Sequence, residues 1–180
     1  MNDLAMKAKF KIEVSGSDEE GNWTSTGFDQ VSYLISANPG EPMGPIEHIA
    51  SGGELSRVAL ALKTCVAPAR VGKNAILRTL VFDEVDAGVG GSAAEAVGRR
   101  LKKLSGTSQV LCVTHLAQIA GFADHHYFVE KHAERGRTLT SIEELDATSR
   151  TREIGRMLSG ERVTPEALRH AEQLIKAAGE

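Results

Sequence analysis

Chemically useful side chains directly follow two apolar runs of this 180-residue chain. Asp83 and Glu84 come after the first run, and His115 comes after the second. Two adjacent carboxylates at a buried strand end are costly unless a positive group, such as a metal-bound phosphate, lies nearby. This pattern suggests that Asp83 helps to hold Mg²⁺ while Glu84 polarises an attacking water. The alternative is that both carboxylates only cap the strand and accept hydrogen bonds from the turn that follows.

The segment Ser51-Gly52-Gly53-Glu54 is a second candidate site. Ser51 and Glu54 have the spacing of a capping box, which begins a helix and needs no ligand. Two adjacent glycines would also let a phosphate approach the exposed N–H groups at a helix N-terminus. Taken alone, the segment is compatible with both interpretations.

The elements that must position these residues form a β-α-β unit. Residues 79–83 are a continuous apolar run ending in an acid, typical of a strand buried on both faces of a parallel sheet. Ser92 and Glu95 predict a capping box at the start of the next helix. A second buried strand is predicted over residues 109–114. The two strands should be parallel, so the residues that follow them meet at one sheet edge, where such sheets bind ligands.

The flanking segments predict other kinds of structure. Residues 8–14 and 31–35 predict two antiparallel strands, and the Pro- and Gly-rich stretch 37–50 predicts an irregular loop. The helix that opens at 51–54 is expected to run to about Val66, before Pro68. The remaining elements are predicted as a short helix near 116–122, a hairpin from 127–131 and 137–144, a helix near 150–158 stopped by Gly160, and a helix that starts at Thr164 with Pro165 in its first position.

The composition limits the class of protein. Hydrophobic residues make up 41% and charged residues 25% of the chain, which excludes collagen-like, low-complexity and wholly disordered proteins. The net charge of −3 gives no overall positive field for nucleic acid, although a local patch could exist. No signal peptide or spanning run is evident, so we expect a cytosolic protein without a membrane partner. Cys65 and Cys112 are expected to be small buried residues, with neither a disulfide nor a metal between them.

The order of these motifs resembles the C-terminal half of an ABC-type ATPase head, and more narrowly the SMC-like ATPases of bacterial DNA repair. SGGELSR at 51–57 resembles the signature motif of these ATPases. The strand followed by Asp83 and Glu84 resembles the Walker B strand, and His115 resembles the switch histidine. Residues 86–91 resemble the D-loop region. The chain departs from wider SMC heads at Gly90, where an acid commonly stands, so no D-loop carboxylate is expected there.

The resemblance implies an α/β fold that forms half of a P-loop ATPase head. Its parallel β-α-β core would carry an antiparallel N-terminal portion and C-terminal helices. We expect one unit over residues 1–180. Within it, 1–50 would form antiparallel strands and a loop, 51–125 the core with the signature, Walker B and switch histidine, and 126–180 the hairpin and the last helices.

The resemblance also implies ATP hydrolysis with Mg²⁺ during DNA double-strand break repair and recombination. Glu84 and His115 would be catalytic, with His115 sensing or contacting the γ-phosphate. Asp83 would hold Mg²⁺, directly or through water. The residues that contact nucleotide would be Ser51, Gly52, Gly53, Glu54, Asp83, Asp86 and Gly88, and those of the signature would cap a nucleotide held by another head.

One part of an ATPase head is missing from the sequence. The phosphate-binding loop G-x-x-x-x-G-K-[ST] is absent, and the nearest string, Gly72-Lys73-Asn74, lacks both the first glycine and the hydroxyl residue. The resemblance places this Walker A loop in an N-terminal half, so the chain alone is expected to be inactive.

The expected partners are that N-terminal half, a second head in an ATP-dependent homodimer, and DNA. The expected location is the cytoplasm, in association with the nucleoid. Two alternatives stay open at this point: the ATPase subunit of an ABC transporter, and a non-catalytic module that uses this fold only for association.

Overall fold

The computed structural model describes residues 8–17, 19–36, 40–48, 51–65, 78–134 and 136–179. These residues form seven strands and five helices, together with short 3-10 turns at Glu20–Asn22 and Ile46–His48. In chain order the elements are β1 (Lys9–Gly16), β2 (Asp29–Ser36), β3 (Gly44–Pro45), α1 (Gly52–Cys65), β4 (Thr79–Phe82), α2 (Gly91–Ser105), β5 (Gln109–Cys112), α3 (Ala117–Ala120), β6 (Tyr127–Glu134), β7 (Arg137–Glu144), α4 (Ala147–Ser159) and α5 (Pro165–Ala178).

The centre of the fold is the predicted β-α-β unit. β4 and β5 pair in parallel, with Leu80 opposite Val110, and α2 connects them. Phe82 of β4 is buried with side chains of α1, α2 and α3, and Leu80 and Val110 pack against the same cluster. The prediction of a parallel pair with a helical crossover is therefore confirmed.

The opposite face of this parallel pair is exposed. Side chains alternate along a strand, so Val81 and Leu111 lie on the face away from α2. Val81 is 66% exposed, Leu111 46% and Val113 64%. The prediction that β4 and β5 are buried on both faces is therefore wrong for the described residues. Within that part of the chain, no other helix or strand covers the face that carries Val81 and Leu111.

The N-terminal strands form an antiparallel hairpin, as predicted, with Ile12 opposite Tyr33. The hairpin packs on α1 through a small cluster that includes Ile35 and Val58. The predicted irregular loop contains more order than expected, because the two-residue strand β3 pairs with β2. Residues 37–39 and 49–50 of that loop lie outside the described residues.

The helix boundaries agree with the sequence in part. The Ser51 hydroxyl accepts a hydrogen bond from the Glu54 N–H at 3.4 Å, which is one half of the predicted capping box. The prediction of a cap at Ser92 is wrong: α2 begins at Gly91, so Ser92 lies inside the first turn, and the extended Gly90 precedes the helix. Pro68 and the string at 72–74 lie outside the described residues.

The C-terminal elements form as predicted. β6 and β7 pair as a hairpin, and α4 is followed by Gly160 with a φ of 79°. The Thr164 hydroxyl caps α5 by accepting from the Ala167 N–H at 3.2 Å. Ile154 of α4 and Ala171 of α5 are fully buried in a cluster with α3. Among the described residues, no helix combines the length and apolar character that crossing a membrane requires.

Candidate functional site

The site is built where the start of α1 meets the end of β4. α1 leads away from this edge and β4 returns to it, so the signature-like segment and the paired carboxylates come together. The Ser56 hydroxyl donates to the backbone oxygen of Asp83 at 2.8 Å. This bond joins the first turns of α1 to the residue that directly follows β4.

Arg57 is the second connection between α1 and the turn that follows β4. Its side chain is buried, and Nη1 donates to the backbone oxygen of Ala87 at 2.6 Å and to that of Val85 at 3.5 Å. Burial lowers the pKa of the Arg57 guanidinium, and the charge of Glu54 opposes that shift. Because a buried cation needs partners, the turn must keep its carbonyls aimed at this side chain.

The sequence analysis placed Ser56 and Arg57 within the signature-like motif at 51–57 but gave neither residue a role of its own. A usable signal exists for Arg57, which lies three and four positions before Leu60 and Ala61 on the buried face of α1. A charged residue on an apolar stripe is a sign of a specific polar partner.

The two glycines of the signature-like segment have different surroundings. A Cβ on Gly53 would lie 2.7 Å from the Ala87 Cβ and 2.9 Å from the Glu84 backbone oxygen, so this buried residue allows close packing on the turn. A Cβ on the exposed Gly52 would meet only the Glu84 carboxylate, at 2.6 Å from Oε2. The carboxylate of Glu84 therefore lies beside the first turn of α1, where the helix dipole favours a negative charge.

The two adjacent carboxylates are exposed at this edge. Asp83 Oδ1 accepts a hydrogen bond from the Glu84 N–H at 2.9 Å. Glu84 has a φ of 55°, in the left-handed region that side chains other than glycine rarely adopt. Because rare backbone conformations of this kind cluster at functional sites, the conformation of Glu84 supports a functional role for this residue.

The exposed carboxylates at this edge fit Mg²⁺ better than a metal whose ligands must all come from the protein. Within the described part of the chain, no three His, Cys, Asp or Glu side chains cluster as metal ligands. Mg²⁺ is commonly held by one or two carboxylates with water and substrate phosphates. An exposed Asp83 at a strand end fits that role.

Asp86 and His115 also meet, although Asp86 does not face the solvent. Its carboxylate is 5% exposed and lies 3.0 Å, through Oδ2, from Nδ1 of a His115 ring that is 73% exposed. The same oxygen accepts from the Thr114 hydroxyl at 2.6 Å and from the His115 backbone N–H at 3.0 Å. Gly88 is exposed, with a φ of 72°. The structure thus brings His115 to the edge that carries Asp83 and Glu84.

The two cysteines differ from expectation in burial. Both are free thiols, as predicted, but Cys65 is exposed at the end of α1. Cys112 ends β5, and there burial, followed by the charges of Asp86 and Asp83, raises the pKa of its thiol to about 12. Near pH 8 this shift makes the Cys112 thiol far less reactive than an ordinary exposed thiol.

This contrast predicts selective alkylation. Iodoacetamide at pH 8 should modify Cys65 and leave Cys112 almost unmodified, since a pKa of about 12 leaves about one thiol in ten thousand ionised. Peptide mass spectrometry over time measures both rates, and a chain unfolded in urea is the control in which both should react. Equal rates in the folded chain would contradict the environment described for Cys112.

Comparison with known proteins identifies close relatives over nearly the whole chain. It is similar to the DNA repair protein RecN of Vibrio cholerae, with 44% identity over 99% of this chain and 31% of that protein. The RecN protein of Bacillus subtilis is 39% identical over 99% of this chain and 31% of its own length. The RecN protein of Deinococcus radiodurans is 51% identical over 83% of this chain and 25% of its own length. The chain thus spans less than a third of these relatives. No family model matches it.

The fold has a counterpart among solved structures. The Smc head domain of Pyrococcus yayanosii, solved with a coiled coil and joint, superposes with a TM-score of 0.53. The match covers 85% of this chain and 26% of that one, at 18% identity. The chain therefore has the fold of part of an SMC ATPase head, as its sequence predicts.

Proposed function

Because the chain is related to the DNA repair proteins RecN over nearly its whole length, as its motifs predict, we propose that it is the C-terminal half of a RecN ATPase head. It would supply the signature, Walker B and switch-histidine parts of an ATP-hydrolysing site used in DNA double-strand break repair and recombination. The names of the relatives favour DNA repair over an ABC transporter subunit.

The observation that carries this proposal is the convergence of three motifs at one edge. The Ser56 hydroxyl bonds to the Asp83 carbonyl, and the His115 backbone N–H bonds to the Asp86 carboxylate. These two hydrogen bonds hold together the start of α1, the paired carboxylates and the loop that carries His115. Such an edge, at the carboxyl ends of parallel strands, is where open α/β sheets bind ligands. A module used only for association would not require exposed carboxylates there.

In this proposal, the chain contributes positions and charges to phosphoryl transfer. Asp83 would help to hold Mg²⁺, which neutralises charge developing on the phosphates when bound. Glu84 would orient the attacking water and accept its proton. His115 would complete the site from the neighbouring loop.

Ser51 and the start of α1 would contact the nucleotide that is bound to a second head. The first N–H groups of a 14-residue helix form a natural site for a phosphate. Ser51, Gly52, Gly53 and Glu54 would face the γ-phosphate of ATP bound to the Walker A loop of the opposite head. Asp86 and Gly88, predicted with them as nucleotide contacts, follow the carboxylates in the adjoining turn.

The partner that holds Walker A would cover the outer face of β4 and β5. Val81, Leu111 and Val113 are more exposed than parallel strands usually allow, since such strands are normally covered on both faces. An N-terminal half that completes the sheet on this side would bury them. The other proposed partners are a second head and DNA, in the cytoplasm at the nucleoid.

The test is reconstitution from two pieces. ATP hydrolysis is measured for this chain alone, for a separately expressed N-terminal half with Walker A, and for their mixture, with sedimentation to detect the complex. We expect turnover only in the mixture.

The outcomes separate the alternatives. Turnover by this chain alone would contradict the assignment of Walker A to the other half. A stable complex without turnover would favour the association module.

A further inference from the structure

We propose that Arg57 is a positioning residue, whose buried guanidinium holds the turn after β4 in the conformation that places the Glu84 carboxylate. This role rests on the function proposed above, because Glu84 is the residue expected there to activate water. It makes turnover depend on a buried side chain of α1, in addition to the side chains exposed at the site.

The backbone of Glu84 lies in a conformation that its surroundings must stabilise. A φ of 55° is rare for a residue with a side chain. Conformations of this kind persist only where the surrounding structure fixes them. The contacts that hold the chain on either side of Glu84 therefore determine where its carboxylate lies.

Two side chains of α1 hold the backbone immediately before and after Glu84. The Ser56 hydroxyl donates to the backbone oxygen of the preceding residue at 2.8 Å. On the other side, Nη1 of Arg57 donates to the Ala87 carbonyl at 2.6 Å and to the Val85 carbonyl at 3.5 Å. Glu84 is thus bracketed by contacts from a single helix.

Arg57 is the charged member of this pair, and it is only 6% exposed. Its Nε atom is buried and has no hydrogen-bond partner among the described residues, so the contacts of Nη1 with the turn matter all the more. A buried cation that loses its hydrogen bonds is costly. A movement of the turn that breaks these bonds is therefore opposed, and the turn keeps the alignment that Arg57 requires.

The rate of hydrolysis should be more sensitive to this alignment than ATP binding is. A residue that accepts a proton must lie within hydrogen-bond reach of the water it activates. A displacement of about 1 Å, caused by a change away from the reacting atoms, can lower a rate about 100-fold. The phosphates would be held mainly by the Walker A loop of the other half, so ATP affinity should change little when Arg57 is replaced.

The first test is amide hydrogen exchange of this chain, measured by NMR without ATP. The Ala87 N–H donates to the Glu84 carbonyl at 3.0 Å and should be protected in the wild-type chain. Arg57→Met keeps a long apolar side chain without a donor and should speed this exchange at least about tenfold. The Thr107 N–H, which donates to the Leu104 carbonyl in the turn after α2, should change less than about twofold.

The wild-type measurement decides the question even if Arg57→Met fails to fold. An Ala87 N–H that exchanges as fast as in an unstructured peptide would show that the turn is not held, and would overturn the proposal. Unchanged exchange of this group in a folded Arg57→Met chain would also overturn it.

Arg150→Met is the matched control. Arg150 is another partly buried arginine that donates to backbone carbonyls, to Gly121 at 2.9 Å and to Ala120 at 3.4 Å. Its replacement removes the same kind of contact from the end of α3 and should leave the exchange of the Ala87 N–H unchanged. Equal effects of the two substitutions would indicate a general loss of stability and would overturn the positioning role.

The second test separates turnover from ATP binding in the reconstituted head. Arg57→Met should lower turnover at saturating ATP at least about tenfold and leave the Kd for ATP within about twofold. Arg57→Lys should stay within about threefold of the wild type, because both hydrogen bonds come from one nitrogen and an ammonium group can donate them. In a Glu84→Gln background, Arg57→Met should add less than about twofold.

The outcomes of the second test also decide the role of Arg57. Unchanged turnover in Arg57→Met would overturn it, as would equal losses in Arg57→Lys and Arg57→Met, or a loss fully additive with that of Glu84→Gln. A wild-type head without turnover would instead contradict the ATPase function. In that case the exchange measurement, which needs no ATP, would still decide whether Arg57 holds the turn.

Discussion

Glu84→Gln should reduce ATP turnover of the reconstituted head at least about 100-fold while ATP binding persists. Glutamine keeps the size of the side chain but cannot accept a proton from the attacking water. The backbone at this position need not change, because glutamine has the same stereochemistry and the Asp83 side chain still receives the N–H of residue 84. Single-turnover hydrolysis and equilibrium binding of labelled ATP measure the two properties separately.

Glu172→Gln is the matched control for this experiment. Glu172 is exposed on α5, far along the chain from the proposed site, and the same chemical change there should leave turnover within about twofold of the wild type. If Glu84→Gln kept full turnover, Glu84 would not be the residue that activates water. Loss of ATP binding together with turnover would instead indicate a role in holding the nucleotide complex.

Gly53→Ala should destabilise the chain by about 1–3 kcal/mol. The new methyl group would lie 2.7 Å from the Ala87 Cβ and 2.9 Å from the Glu84 carbonyl oxygen. Neither atom belongs to a long flexible side chain, so α1 or the turn must move. Such a movement would also disturb the hydrogen bonds of Arg57 to the Val85 and Ala87 carbonyls.

Urea denaturation of the chain gives the change in the free energy of unfolding. Gly52→Ala provides the matched control one residue away, since its methyl group would meet only the Glu84 carboxylate, which can rotate aside. The control should stay within about 0.5 kcal/mol of the wild type. Equal stability of the two variants would show that the close contact between Gly53 and Ala87 is not a constraint on the fold.

Much of this architecture could be predicted from local patterns. The β-α-β unit follows from two short apolar runs separated by an amphipathic helix, and Thr164 with Pro165 marks the start of α5. Parallel pairing then brings the residues after β4 and β5 to one edge without knowledge of any side-chain contact. The neighbourhood of His115 and the paired carboxylates was predictable for that reason.

The contacts that stabilise the edge depend on residues far apart in the sequence. Asp86 lies in a glycine-rich turn, where an acid is usually exposed, and only folding brings Thr114 and His115 to its carboxylate. Arg57 likewise finds its carbonyl partners in a turn that follows another element. Neither pairing has a local sequence pattern.

Other differences between prediction and structure arise because a local sequence pattern does not show which part of the protein covers a given surface. The apolar composition of β4 indicates burial on both faces, yet Val81 is exposed in the described part of the chain. An apolar strand pattern indicates that a segment is suited to burial. It does not indicate which other segment or chain covers it. At Ser92, two glycines directly precede the predicted cap, and α2 begins at Gly91, two residues earlier than the capping pattern indicates.

The left-handed backbone of Glu84 has a consequence for how this sequence can change. A residue with a side chain in that conformation costs about 1 kcal/mol relative to an ordinary one, and glycine adopts it without that cost. Selection for stability alone would therefore favour glycine at position 84, whereas selection for water activation would keep the carboxylate. If Glu84 activates water as proposed, the two pressures oppose each other at this position, and Glu84 trades stability for activity.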